Sequence, residues 1–124
     1  MGVVLTNKSD KEVRLGYVGF GLMRQTIACS YNETIGKMYK KMYSLRNNME
    51  ITNDEYKTIE NALPKYLLEF LYHSDCDGYF DEKSVKGIYK ELVKLKPVFD
   101  NYSLEQKYFE LLDLFKDGER IDLY

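Results

Sequence analysis

The sequence has no tryptophan, one histidine, two cysteines and two prolines in 124 residues. Each scarcity closes a class of protein. Cys29 and Cys76 are too few for a disulfide framework, and each suits a plain thiol in a reducing compartment. One histidine and two cysteines give no local four-ligand zinc set. No apolar run approaches the ~18 residues that a membrane helix needs. The opening "MGVVLTNKSDKE" lacks the basic stretch and apolar core of a signal peptide. Neither sign of charge dominates, with 18 basic residues against 20 acidic ones and a formal net charge of −2. That argues against direct nucleic-acid binding, which calls for a basic face. The expectation is a cytoplasmic chain, off the membrane, with no cofactor.

Tyrosine, in contrast, is abundant. Twelve tyrosines are more than a small core absorbs, and several are left for the surface, where tyrosine serves contacts with other proteins. Hydrophobic residues at 44% and charged residues at 31% give a globular balance, so residues 1–124 are expected to form a single domain.

The chain opens as a hairpin. Val3, Val4 and Leu5 are followed by the turn-forming "TNKSD", and then Val13, Leu15 and Tyr17 alternate with Glu12, Arg14 and Gly16. "GYVGFG" follows, and its glycines suggest a weakened strand, a bulge or a close approach of another backbone. Their spacing is not that of a nucleotide loop. A short helix is expected from Leu22 to Ala28. Asn32 then caps a second helix whose stripe is Ile35, Met38, Tyr39 and Met42. "TNDE" at Thr52–Glu55 is a capping box for a third helix. Pro64 demands a break near Asn61–Leu63 and opens a very apolar fourth helix to about Tyr72. Asp81 caps a fifth helix, which Pro97 ends. "SLEQ" at Ser103–Gln106 is a second capping box and opens a sixth, which "KDGER" stops. "RIDLY" reads as a strand able to join the hairpin. The fold class is therefore α+β, a small antiparallel sheet packed by five or six short helices.

"HSDCDG" carries the most chemistry. With Gly78 at the sixth position of a calcium loop, Asp75, Asp77, Phe80 and Asp81 fall where an EF-hand needs them. The first position is His73 and the last is Ser84, so both ends of the cage lack their ligands. A His73–Cys76 nucleophile pair would place its thiol in a tight acidic turn, which blunts a thiolate. A structural turn explains the same residues: His73 favours the negative end of a helix, the aspartates accept turn N–H groups, and Gly78 takes a positive φ. His73, Asp75, Asp77 and Asp81 are accordingly assigned to a structural turn, with a bound calcium ion as the alternative and no catalytic residue assigned.

A second candidate is a contact surface. Lys37, Lys40, Lys41 and Arg46 form the most basic patch. Beside the glycine-rich segment they define an edge of Tyr17, Phe20, Met23, Arg24, Lys37, Lys40 and Lys41, expected to meet a protein partner.

The string "FLYHSDCDGYFDEKSVKGIYKEL", after an N-terminal "GYVGFG" and before a helical tail, resembles a group of small proteins of phages and prophages from Gram-positive bacteria. In that group an "HSDCDG" turn sits between two helices and an acidic helix start follows. The resemblance covers the middle third of the chain. It implies a cytoplasmic accessory protein of a mobile element and assigns no role to His73, Ser74, Asp75, Cys76, Asp77 or Gly78. The expected function is a non-catalytic binding protein that inhibits a host enzyme or defence system. The alternatives are an immunity protein that neutralises a toxin, and an enzyme or calcium-binding protein using the turn.

Overall fold

A computed structural model describes residues 2–43, 52–74 and 77–124. The sequence alternation of residues 2–16 forms strands β1 (Gly2–Asn7) and β2 (Glu12–Gly16), an antiparallel hairpin with Leu5 opposite Val13. Asn7, itself buried, builds the turn: its side-chain oxygen accepts the N–H groups of Ser9 and Lys11, each at 3.0 Å. Asp10 takes a φ of 62° there, a conformation that aspartate tolerates.

The chain then enters helix α1 (Tyr17–Tyr31) directly. The glycine-rich segment is thus the first turns of a long helix, and the expected strand end and short helix are corrected. Its stripe of Phe20, Met23, Ile27 and Ala28 continues at helical spacing through Gly19 and Gly21, and burial of that stripe outweighs the poor helix propensity of two glycines. Helix α2 (Glu33–Tyr43) starts at Asn32, whose side-chain oxygen accepts the Ile35 N–H at 3.1 Å. Gly36 lets it cross α1 closely, since a Cβ there would meet the Cys29 backbone. Met42 lies in α2, but its side chain, like Arg46, is outside the described residues.

Helix α3 (Asn53–Ala62) carries the expected capping box, with Thr52 Oγ1 accepting from Glu55 and Glu55 reaching back. The break falls at Leu63 and Pro64, and α4 (Lys65–Tyr72) follows. Strand β3 (Tyr79–Phe80) was not expected. Helix α5 (Glu82–Leu95) begins at Asp81 as expected. Helix α6 (Tyr102–Lys116) begins at Asn101, which accepts the Leu104 N–H at 3.1 Å, and not at the Ser103 capping box. Asparagine caps as well as serine, and starting earlier brings two more residues into the helix. Gly118, at a φ of +68°, ends it, and β4 (Ile121–Leu123) closes the chain.

The sheet order is β2-β1-β4-β3, every neighbour antiparallel, so the expected C-terminal strand lies in the middle. Val3, Leu5, Val13, Leu15, Phe80, Ile121 and Leu123 are buried on one face, where they join the helix residues in one core. The fold is α+β, as the sequence reading expected.

Candidate functional site

The HSDCDG turn is built on the end of α4. His73 is the C-cap residue: its N–H donates to the Glu69 carbonyl at 3.0 Å. Its ring lies 4.2 Å from that of Phe80, with Nδ1 2.8 Å from the Ser74 carbonyl oxygen and Nε2 3.0 Å from that of Tyr79. Gly78 has a φ of +86°, and a Cβ there would press on the imidazole at 3.2 Å. Asp77 Oδ1 accepts the Gly78 N–H at 2.8 Å. Asp81 Oδ1 accepts the Ser84 N–H at 2.7 Å, and that bond holds the Asp81 carboxyl below the ordinary aspartate range. His73, Asp77 and Asp81 therefore serve the local backbone. Asp75 and Cys76 lie outside the described residues. Among the described residues no three metal-ligating side chains gather.

The turn is supported by residues that the sequence reading placed elsewhere. Arg24 is buried, with its guanidinium 4.1 Å from the centre of the Phe20 ring and 5.7 Å from that of Phe70. Its Nη1 donates to the His73 carbonyl at 2.7 Å and to the Leu71 carbonyl at 3.3 Å. Tyr39 adds a bond from its hydroxyl to the Leu71 carbonyl at 2.9 Å. A cation against the last carbonyls of a helix complements its dipole. Below lies a cluster in which Phe70 meets Phe20 and Phe115 edge-on and packs against Phe80.

This arrangement divides the expected contact edge. Phe20, Met23 and Arg24 are buried and not on the surface, because α1 turns them to the core. Tyr17 stays exposed at the start of α1. Lys37, Lys40 and Lys41 lie along α2, but Lys37 pairs with Glu33 at 3.7 Å and Lys41 with Glu55 at 3.1 Å, which offsets much of the local charge. The Lys41 ammonium in turn holds the Glu55 carboxyl below its usual range.

The opposite side of α1 is where apolar surface is left open. Val18 is 78% exposed and Leu22 49%, one helical turn apart. Leu22, Gly16, Gly19 and Leu15 share a cavity of about 240 Å³ with Leu104 and Lys107 of α6. Tyr102, at the first turn of α6, is 75% exposed. Gly16 and Gly19 therefore face α6 and not the basic helix. The signal for this face was present: Val18 and Leu22 fall off the Phe20–Met23–Ile27 stripe once the helix is carried back through the glycines. No protein family, curated protein or solved structure matches the chain.

Proposed function

We propose that this chain is a non-catalytic binding protein of a mobile element, acting by covering a surface of a host enzyme or defence protein. The observation that carries the reading is the exposure of Val18, Leu22 and Tyr102, with Leu22 lining the cavity that Gly16 and Gly19 share with α6. Isolated apolar side chains on a surface need no explanation, but a group around a cavity is the form that contact sites take. The turn supports the same reading, since Asp77 Oδ1 and Asp81 Oδ1 each accept a backbone N–H and the His73 ring nitrogens lie beside backbone carbonyl oxygens.

The test is capture from bacterial lysate by the immobilised chain and by a Val18→Asp/Leu22→Asp variant. Both positions are solvent-exposed, so the variant is expected to keep the parent's circular dichroism and lose the captured protein. Equal capture by parent and variant would remove this face from the function.

A further inference from the structure

The strand β2 ends the sheet and has a strand on one side only. Its open side can be read from the ladder. Val4 exchanges both backbone bonds with Tyr124, at 3.3 and 3.0 Å, so Val4 points to the β4 side. Its neighbours Val3 and Leu5 then point to β2, where they oppose Leu15 and Val13. Val13 and Leu15 are thus the residues bonded to β1, and the N–H and C=O groups of Glu12 and Arg14 point outward. Among the described residues no backbone bond is recorded to those outward groups.

Along this same edge runs α6. It leaves two cavities of about 240 Å³ each, end to end. The first lies beside Val13 and Leu114, where Glu12 pairs with Arg14, Glu110 with Lys107, and Asp113 and Asp117 share Lys11, so that four carboxylates face three cations. The second lies beside Leu15 and is lined by Leu22, Leu104, Gly16 and Gly19 together with Asn101, Ser103 and Lys107.

We infer that β2 accepts an extended segment of a partner protein as an added antiparallel strand, with one apolar and one basic side chain seated in the two cavities. The geometry sets the pattern. A residue opposite Arg14 exchanges two backbone bonds with it. The residues on either side stand opposite Leu15 and Val13 and project to the α6 side, because side chains directly opposite share a face of the sheet. Antiparallel addition passes Leu15 first, so the segment reads apolar, any residue, basic. Backbone bonds then give affinity and the two cavities give selectivity. The inference rests on the proposed binding role and names the chemistry of what is bound.

The probe is a blocked heptapeptide of threonines with leucine at its third position and lysine at its fifth. Titrated into labelled protein, it is expected to shift the amides of Glu12 and Arg14 most and to slow their hydrogen exchange. Glutamate in place of the lysine is expected to weaken binding about tenfold or more. Arg14→Pro removes one outward N–H at an edge position that proline tolerates, and should abolish binding with the sheet intact. A peptide N-methylated at the fourth position should fail on the unaltered protein, which keeps the test valid if the proline variant does not fold. Equal affinity for the methylated peptide, or shifts centred on α2, would overturn the inference. So would concentration-dependent dimerisation abolished by Arg14→Pro, which would assign the edge to a second copy. A silent peptide beside lost capture by the Val18→Asp/Leu22→Asp variant rejects strand addition and keeps the binding role. Unchanged capture by that variant rejects the Val18–Leu22 face as the place of that role, whatever the peptide does.

Discussion

Gly19 and Gly36 are both helical, yet they should respond oppositely to alanine. Nothing lies within 4 Å of a Cβ built at Gly19, whereas at Gly36 it meets Cys29 Cα and N. Gly19→Ala is therefore expected to stabilise by about 0.5–1 kcal/mol through helix propensity alone. Gly36→Ala should destabilise by about 1–3 kcal/mol as α1 and α2 are forced apart. Denaturant titration of both variants checks the pair, and an equal response would mean that the helices do not cross there. A gain at Gly19 bears on function too, because the added methyl narrows the cavity beside Leu22. Arg24 gives the sharper test of the turn. Arg24→Met keeps bulk but leaves the His73 carbonyl without its 2.7 Å donor, and a loss of about 2–3 kcal/mol is expected. The amides of His73 and Ser74 should then exchange faster, although Arg24 lies 49 positions away from His73 in sequence. No change at those amides would show that Arg24 does not support the turn.

At the scale of elements, three helix starts were written locally, as were the ends of α3, α4, α5 and α6, whereas the starts of α1 and α6 were not. Asn32, Thr52 and Asp81 each hold a backbone N–H with their own side chain, and each was legible because capping acts over three residues. The Ser103 box was outcompeted by Asn101, a difference that the local pattern does not rank. Strand β3 was invisible because two residues carry no period, and only pairing with β4 makes them a strand. The buried Arg24 was misplaced for a related reason: its acceptors belong to another helix, and a charged residue beside glycines reads as surface. Carboxylates at the starts of α3 and α5, and Asp117 at the end of α6, where it pairs with Lys11 at 2.9 Å, set an acid dependence. Asp81 is lowered by the Ser84 N–H, Glu55 by Lys41 and Asp117 by Lys11, from ordinary values of 3.8, 4.5 and 3.8. A lowered folded value means that the stabilisation is complete above those ordinary values. It is lost as the pH falls through the folded ones. Melting temperature should thus hold steady down to about pH 5 and fall below about pH 4. Asp81→Asn/Glu55→Gln/Asp117→Asn should flatten that fall, and an unchanged acid limb in the triple variant would show that other groups govern it.

For the whole molecule, the C-terminal strand holds the sheet together. Strand β4 lies between β1 and β3, and Ile121 and Leu123 are buried in the core shared with the helices. Deleting residues 119–124 removes the partner of both neighbours and uncovers Phe80, so the cooperative thermal transition should be lost. A truncated chain that melts like the parent would show that the helices fold without the sheet. In its place inside the sheet, β4 leaves β2 as one of the two outer strands, the one beside α6. Protein binding through that side is the central claim. It is tested most directly by hydrogen–deuterium exchange of the chain, free and bound to a protein captured from lysate. The account predicts new protection at residues 12–16 and 18–22 and at the first turn of α6, with α2 unaffected. Protection confined to α2 around Lys37, Lys40 and Lys41 would contradict it.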